Sequence, residues 1–414
     1  MTSSKIDAEV AVIGGGLAGV MSALKLARSG YNTLLIRKGY GATAMSSSCI
    51  SSTGLASWLR YHGESSPDEV INEAFDLFTT LMSTASFPFK GSPGQGGDYL
   101  TTMGTYKRIE VLPLSSAGGS LKELEEGSLL IVGIEGLTGF HAAFLQKALR
   151  HYLGERPIIR TMSFHPGFLK RHANFSQPEL AHLLDDQRKM ESFMTEARGL
   201  VNGDWTHLMF PPVLGLEKSA SVMNAVQSEL EATCFEAISK IPSSAGLRLQ
   251  TAINRLLSRA RIRTVHGTVS GFQQEKNHIT SIEVQDKGSG LTIEAGSYIL
   301  ASGNQIGGGL DFDDEMRESV FGVPLAVNGM NLKSLKRDQL LSEDFSAKQP
   351  LLQVGIRVDG AFRPLNSEGG PFWDNLRAAG SVISTSPAEK GWSGLGFAIV
   401  SGYLAARSIH QDIS

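Results

Sequence analysis

The sequence predicts an α/β protein of two domains, one of which is inserted into the other as a cap. Its 414 residues exceed the roughly 250–300 at which a single hydrophobic core stops growing. Two separate strand–turn–helix–strand patterns, at 8–36 and 128–164, indicate two parallel α/β layers. The predicted division places residues 1–60 and 241–414 in one discontinuous domain and residues 61–240 in an inserted α/β cap.

The composition is that of an ordinary globular protein, with 41% hydrophobic residues, 19% charged residues and a formal net charge of −3. This balance provides neither a basic surface for nucleic acid nor a polybasic membrane anchor. Residues 1–16 contain acidic residues and glycines where a signal peptide has an apolar core. No run reaches the ~18 apolar residues that span a bilayer. We therefore expect a cytoplasmic protein that reaches the inner face of a membrane only through a partner.

The first β–α–β pattern carries a glycine motif. Its strands and helix are predicted at 8–13, 17–29 and 33–36. The glycines of a GxGxxG pattern follow the first strand and open the helix: Gly14, Gly16 and Gly19. They permit a tight turn, the approach of a phosphate and close packing of helix on strand, and the helix N-terminus favours the anion. The motif predicts a Rossmann-like FAD/NAD(P)-binding fold, the alternative being a glycine-rich turn in another α/β protein.

The second strand ends on an unexpected charge. Dinucleotide-binding units place an acidic residue about 20 residues past the glycines, where it holds the adenosine ribose. This sequence has Arg37 and Lys38 there instead. A guanidinium binds phosphate in a bidentate manner but cannot accept the ribose hydroxyl protons. A mononucleotide phosphate or an NADP 2′-phosphate is therefore easier to accommodate, the alternative being an arginine that faces solvent.

Four further segments are predicted to lie beside a flat cofactor. Small residues follow buried strands at Gly303 in ILASGNQIGGG and at Gly380 in LRAAGSV, where Ser381 replaces the Asp of many flavoproteins. Gly394 lies in a segment that starts a helix whose N-terminal amides could face a flavin. The hydroxyl-rich stretch after the second strand offers further ligands, unless it is a loop of turn-forming serines: Thr43, Ser46, Ser47 and Ser48.

The remaining elements follow from the same kinds of pattern. An amphipathic helix is predicted at 65–83, and two strands that turn at Gly104 are predicted within 99–113. Residues 221–238 have helical spacing, with Cys234 on the apolar face as a core residue. After residue 241 the chain is predicted to form a helix, a run of short strands and a final helix rich in small residues.

Candidates for catalysis and substrate binding are few. Lys107 and Arg108 beside Thr105, together with Arg248, could clamp a phosphorylated substrate, although such cations commonly only coat a surface. The histidines are scattered, without an HxH or HExxH spacing, and the sequence has two distant cysteines, so no metal site is predicted. No catalytic base is assigned.

In order and spacing these segments resemble the B-type flavoproteins of the anaerobic glycerol-3-phosphate dehydrogenase family. The resemblance covers nearly the whole chain, from VIGGGLAGVMSALKLARSGYNTLLIRKG and SSSCISS through TTMGTYKR, VGIEGLTGFHAAF, SSAGLRLQTAINRLL and ILASGNQIGGGL to GIRVDGAFRP and GYLAA. Arg37 and Ser381 match the family's own pattern.

The resemblance implies a flavoprotein that carries FMN, with FAD as second choice. It implies two partners in a complex, an FAD-bearing A component and an iron–sulfur C component. It also implies oxidation of sn-glycerol 3-phosphate to dihydroxyacetone phosphate, with electrons passed towards quinone. FMN needs a single phosphate site, at Gly14–Gly19 and Arg37. The family's cysteine- and glycine-rich loop near the end is replaced here by Gly391-Trp392-Ser393-Gly394, where a large Trp could alter cofactor access or the electron-transfer face.

Two other hypotheses remain open at this stage. One is a stand-alone FAD- or NADP-dependent oxidoreductase that acts on another small molecule. The other is a cofactor-free structural partner of a catalytic protein, whose glycine loops are relics.

Overall fold

The computed structural model describes residues 4–170, 173–201, 203–239, 243–286, 289–312, 316–327, 329–335, 337–344, 347, 349–385 and 394–413. Its α-helices are α1 (Leu17–Arg28), α2 (Leu55–Tyr61), α3 (Pro67–Thr84), α4 (Ala142–Leu153), α5 (Gln177–Leu183), α6 (Gln187–Leu200), α7 (Ser219–Leu230), α8 (Ser244–Arg259) and α9 (Gly394–Ile413). Its strands are β1 (Ser4–Ile13), β2 (Thr33–Arg37), β3 (Phe89–Gly91), β4 (Gly97–Leu100), β5 (Tyr106–Ile109), β6 (Val111–Pro113), β7 (Ser128–Ile134), β8 (Ile158–Phe164), β9 (His207–Phe210), β10 (Thr233–Glu236), β11 (Arg263–His266), β12 (Thr268–Glu275), β13 (His278–Asp286), β14 (Ser289–Leu300), β15 (Leu310–Asp311), β16 (Arg317–Glu318), β17 (Leu325–Val327), β18 (Met330–Asn331), β19 (Gly355–Ile356) and β20 (Leu376–Ala378).

The chain divides into two compact units. The first comprises Met1–Ala42, Ser52–Phe78 and Asn254–Ser414, and the second comprises Thr43–Ser51 and Thr79–Ile253. These divisions differ from the boundaries predicted at residues 60 and 241 because they fall inside α3 and α8 and because the serine-rich stretch belongs to the second unit.

The first unit is built on a mixed sheet with the strand order β11–β2–β1–β14–β13–β12, and β20 also pairs with β14. The pairs of β11 with β2, β2 with β1, β1 with β14 and β14 with β20 are parallel, whereas β13 is antiparallel to both its neighbours. In register, Val12 lies opposite Leu35 on one side and Ile299 on the other, and all three are fully buried. Such continuous apolar runs are typical of parallel strands covered on both faces.

Helices α1 and α9 pack closely in this unit because small residues line their contact. A Cβ on Gly402 would lie 2.3 Å from the carbonyl oxygen of Ala18. The hydroxyl of Ser22 donates to the carbonyl of Gly402 at 2.8 Å, which joins the two helices by a buried polar bond. The predicted small-residue helix therefore has a packing function.

The second unit has a parallel sheet in the order β10–β9–β7–β8 and two antiparallel strand pairs, β3 with β6 and the hairpin of β4 with β5. The strand–helix–strand prediction at 128–164 is confirmed by β7, α4 and β8. The helical interpretation of the whole of 221–238 is wrong. Helix α7 ends at Leu230, Glu231 follows with a left-handed φ of 49°, and β10 then pairs with β9. Cys234 lies buried on that strand.

The structure thus confirms the predicted α/β fold with parallel sheets. Of the helices that the described residues form, none is long and apolar enough to cross a membrane.

Candidate functional site

The turn between β1 and α1 has no room for side chains. Gly14 has a φ of 124°, and a Cβ there would lie 2.0 Å from the carbonyl oxygen of Ala301. A Cβ on Gly19 would lie 2.0 Å from the carbonyl oxygen of Gly14. The amide of Gly14 donates to the carbonyl of Ile36 at 2.8 Å, which ties the turn to β2. The predicted roles of these glycines in turn formation and close packing correspond to these contacts.

The N-terminus of α1 suits an anion. Its N-cap residue is Gly16, which supplies no capping side chain, and the first turn contains no acidic residue. Gly41, in the segment after β2, packs against this helix start, because a Cβ on Gly41 would lie 3.6 Å from the Cα of Gly16. Backbone amides and the positive end of the helix dipole therefore lie at a surface made of glycine backbone, which is how helices bind phosphate.

Arg37 lies beside this turn. A Cβ on Gly15 would lie 2.7 Å from the Cβ of Arg37, so the arginine stem covers the glycine. One guanidinium nitrogen donates to Oδ1 of Asn254 at 2.8 Å, whereas Nε is buried without a hydrogen-bond partner. Lys38 is exposed. A half-buried cation with an unused donor fits a cofactor phosphate or the oxygens of a ribose.

The sequence did not indicate the partner of Arg37. Asn254 lies on α8, 217 positions further along the chain. It becomes a neighbour because β11, which follows α8, pairs with β2 in parallel. A contact formed through strand pairing at such a distance leaves no local pattern.

Two further predicted segments meet at the carboxyl ends of β14 and β20. Gly303 has a φ of 85°, and a Cβ there would lie 3.9 Å from Oγ of the exposed Ser381. Gly380 has a φ of 77°, and a Cβ there would lie 2.7 Å from the Cβ of Ala18 on the first turn of α1. The glycine turn, Gly303 and the Gly380–Ser381 pair therefore occupy one edge of the sheet.

A buried carboxyl that no sequence motif indicates lies near this edge. Glu318 is 1% exposed and accepts hydrogen bonds from the amides of Val320 at 2.8 Å and Phe321 at 2.7 Å. Burial raises the pKa of Glu318 to about 7, although these bonds partly oppose the shift. The next residue, Ser319, donates its amide to the carbonyl of Gly309 at 3.1 Å and so joins the segment to the glycine-rich loop after β14.

The serine-rich stretch belongs to the second unit, where internal bonds occupy several of its hydroxyls. Ser46 donates its hydroxyl to the carbonyl of Thr43 at 2.7 Å. Ser48, with a φ of 57°, donates to the carbonyl of Ala245 at 2.8 Å and fastens the stretch to α8. The carbonyl of Ser47 accepts from the Cys49 thiol at 3.5 Å. These bonds account for a turn-forming role, and binding of a cofactor by the four residues stays a prediction.

The cations predicted to clamp a substrate have different surroundings. Thr105, Lys107 and Arg108 lie exposed on the β4–β5 hairpin. Arg248, in contrast, is 2% exposed and donates twice to Glu236, at 2.5 and 2.9 Å, and once to the carbonyl of Gly215 at 2.7 Å. Its donors are already used by the protein, so the interpretation of Arg248 as a substrate ligand is corrected to a buried structural ion pair.

The C-terminal part of the predicted site is described only from Gly394, which is exposed and begins α9. Gly391, Trp392 and Ser393 lie outside the described residues. Within the described part of the chain, no group of three or more His, Cys, Asp or Glu side chains could hold a metal ion.

Comparison with known proteins agrees with this architecture. The family model "FAD binding domain" matches residues 9–83 and 168–392, well over half of the chain. The probable B subunit of an anaerobic glycerol-3-phosphate dehydrogenase from Halobacterium salinarum is 28% identical, covering 98% of this chain and all of that protein. The corresponding B subunit from Vibrio vulnificus is 24% identical, covering 97% of this chain and 96% of that one.

A 3-ketosteroid Δ1-dehydrogenase structure from Sterolibacterium denitrificans covers 98% of this chain and 100% of its own, at 10% identity and a TM-score of 0.44. The family match is the finding that classifies the chain, since its two matched ranges include both the glycine turn and the Gly303 and Gly380 edge. The chain belongs to the FAD binding domain family.

Proposed function

We propose that this chain is the flavin-binding B subunit of an anaerobic sn-glycerol-3-phosphate dehydrogenase. The observation that carries the proposal is the glycine turn Gly14–Gly19 at the N-terminus of α1, with the stem of Arg37 packed against Gly15. Such a site fits the phosphate of a flavin nucleotide. The substrate comes from the relatives, whose names specify glycerol-3-phosphate dehydrogenase and which match this chain over its full length.

The flavin that we propose is FAD, because the family model is that of FAD-binding domains. At the end of β2, the guanidinium of Arg37 would donate to ribose or phosphate oxygens where a carboxylate would accept from hydroxyls. FMN, which the sequence analysis favoured on account of Arg37 and Ser381, is the alternative. FMN requires the phosphate site at α1 but no ligand for an adenosine ribose.

A bound flavin would supply the oxidising chemistry, which is the acceptance of two electrons as an alcohol carbon becomes a carbonyl carbon. The residues of this chain hold and orient the cofactor. The amides at the start of α1 and Arg37 would hold its phosphate, and Gly303 and Gly380 leave room beside the strand ends. Thr105, Lys107 and Arg108 remain proposed ligands of the substrate phosphate. No side chain is assigned as catalytic base.

The names of the relatives also imply a multi-subunit assembly. We include in the proposal an FAD-bearing A component, an iron–sulfur C component and transfer of electrons towards quinone. The chain would lie in the cytoplasm, peripheral to the inner face of the membrane through one of these partners.

The first experiment is to purify the full chain, record its visible spectrum and identify the released cofactor by chromatography. Anaerobic reduction is then followed at the flavin absorption band, with glycerol 3-phosphate and with NADPH, in the chain alone and in the chain purified with its A and C partners. The proposal predicts a bound flavin reduced by glycerol 3-phosphate in the assembly. Released FAD supports our choice of cofactor, and released FMN would instead support the interpretation based on Arg37.

Two variants connect the flavin to the site. Arg37→Gln should weaken flavin binding by about 10- to 100-fold, the effect of one charge-assisted hydrogen bond. The control is Gly39→Ala, two residues further along the chain. It should leave flavin content unchanged, since a Cβ on Gly39 would meet nothing within 4 Å. Reduction by NADPH alone would favour a stand-alone oxidoreductase. A chain without flavin after reconstitution would favour a cofactor-free structural partner.

A further inference from the structure

We propose that an exposed aromatic surface on the second unit docks an acidic surface of a partner protein in the assembly. The surface, here called the Gly104 patch, surrounds the turn between β4 and β5 and includes four exposed apolar side chains: Met103, Tyr106, Phe144 and Tyr152. The inference rests on the proposed function in one respect, because it requires that the chain works within a multi-subunit assembly.

The patch forms where the Gly104 turn packs on one face of α4. Phe144, Ala148 and Tyr152 are spaced by four residues and therefore share that face. A Cβ on Gly104 would lie 2.6 Å from Cε1 of Phe144 and 3.2 Å from the Cβ of Ala148. The hydroxyl of Tyr152 donates to the carbonyl of Gly104 at 3.1 Å, which fixes the turn on the helix.

Its aromatic rings are held in place and yet remain accessible. Tyr106 and Tyr152 pack edge to face, with ring centroids 5.2 Å apart. Tyr106 is nevertheless 55% exposed, Phe144 52% and Met103 53%. Rigid aromatic side chains contribute much of the binding energy at protein interfaces because little side-chain entropy is lost when they bind. A contiguous apolar surface of this kind marks an interaction site more often than an ordinary exterior.

The charges around the patch specify the partner. Helix α4 (AAFLQKALRHYL) contains no acidic residue, and its lysine and arginine are both exposed: Lys147 and Arg150. Acidic residues lie on neighbouring segments. Glu155 is 3.9 Å from Arg150, and Asp98 is the strand partner of Arg108. An apolar centre with a cationic rim is complementary to an apolar knob surrounded by Asp and Glu.

The occupant is a protein in this proposal because aromatic residues and arginine are the enriched residue types of protein interfaces. An anionic membrane offers the same charge to the rim and is the competing occupant that the experiment must separate.

The test uses the full chain and its purified A and C partners, with binding measured by interferometry and assembly by size-exclusion chromatography. Tyr106→Ala and Phe144→Ser should each weaken assembly by about 10-fold or more, as truncation of an interface anchor does. Lys147→Glu should weaken it and also reduce its dependence on salt. The matched controls are Tyr61→Ser, at a tyrosine that is 77% exposed outside the patch, and Arg188→Glu on α6. Both should assemble as the wild type does.

Thermal unfolding of each variant shows that it is folded before its binding is compared. Unchanged assembly of the three patch variants, in a wild type that binds its partners, would overturn the patch proposal alone. Failure of the wild type to bind either partner would overturn both the patch proposal and the assembly on which it rests. Loss of binding to phosphatidylserine vesicles in the patch variants, with assembly intact, would assign the patch to a membrane and also overturn it. Reduction of the wild-type flavin by glycerol 3-phosphate is scored separately, so the proposed function can survive when the patch proposal fails.

Discussion

Two arginines that the sequence suggests as anion ligands have different environments. Arg37 is half-buried and keeps a buried Nε without a partner, so it can still bind an anion. Arg248 is fully enclosed and uses its donors on Glu236 and Gly215. A guanidinium whose donors are already satisfied inside the protein acts in folding, because moving it to a ligand would leave a buried carboxylate unpaired.

Arg248 therefore provides a prediction about stability. Arg248→Ala should lower the free energy of unfolding by roughly 3–5 kcal/mol, since it leaves Glu236 as an uncompensated buried charge. The double variant Arg248→Met with Glu236→Gln should recover much of this loss, and Arg188→Ala at an exposed site should change little. Denaturant titration measures all three. A stable Arg248→Ala protein that has lost affinity for glycerol 3-phosphate would restore the substrate role instead.

Residue types in the site were predictable where a local motif required them, and pairings were not. The GxGxxG spacing predicted a turn that has no room for side chains. The structure has close contacts of this kind at Gly14, against Ala301, and at Gly19, against Gly14. The partners of Arg37 and Arg248, and the buried position of Glu318, depend on tertiary contacts between segments far apart in sequence. Nothing in the few residues around each of them encodes these neighbours.

At the scale of elements, the packing of α1 on α9 depends on one backbone approach. The hypothetical Cβ of Gly402 lies 2.3 Å from the carbonyl oxygen of Ala18 and 3.1 Å from both the carbonyl carbon and the Cα of that residue. These atoms belong to the first turn of α1, which is the turn proposed to hold the flavin phosphate. A shift of α9 would therefore displace the first turn of α1 and alter the proposed phosphate site.

Gly402→Ala should destabilise the protein by roughly 1–3 kcal/mol, the usual effect of overpacking, and should reduce flavin content. Gly199→Ala is the matched control, because this glycine also lies in a helix but its Cβ would meet nothing within 4 Å. The control should be neutral or stabilising by up to about 1 kcal/mol, the helical preference of Ala over Gly. Thermal unfolding and flavin absorbance measure both effects, and equal behaviour of the two variants would contradict the packing argument.

The sequence predicted elements best where strand and helix alternate with clear turns between them. The units β1–α1–β2 and β7–α4–β8 were both predicted, since apolar runs and helical spacing follow each other there. Strand β10 was taken for helix because its four residues continue an apolar pattern from α7, and only Glu231 interrupts the helix. The parallel pairing of β11 with β2 was beyond prediction, because the strands are separated by the whole second unit.

At the scale of the whole molecule, residues Thr79–Ile253 belong to the second unit, and the chain re-enters the first unit at Asn254. The return was visible as a change of pattern near residue 241, whereas the division itself falls after Ile253, inside α8. A helix that continues through a division shows one uninterrupted amphipathic pattern. Sequence periodicity alone therefore cannot place the division.

The stability of the whole molecule should depend on pH in a way that Glu318 makes measurable. Burial raises the pKa of Glu318 from 4.5 to about 7, so the folded chain binds this proton more tightly than the unfolded chain does. The resulting stabilisation is complete below about pH 4.5 and is lost as the pH rises through 7. His62 and His207 act in the opposite direction, because burial lowers the pKa of each and they weaken the fold as pH falls below 6.5.

Comparison of the wild type with Glu318→Gln separates these effects, since both proteins keep the two histidines. The unfolding temperature of the wild type relative to Glu318→Gln should be higher at pH 5 than at pH 8, because only the wild type acquires a buried charge over that interval. Asp286→Asn at an exposed position serves as the control and should show no such trend. A difference between wild type and Glu318→Gln that stays constant from pH 5 to pH 8 would mean that Glu318 is ionised throughout, its charge stabilised by the amides of Val320 and Phe321.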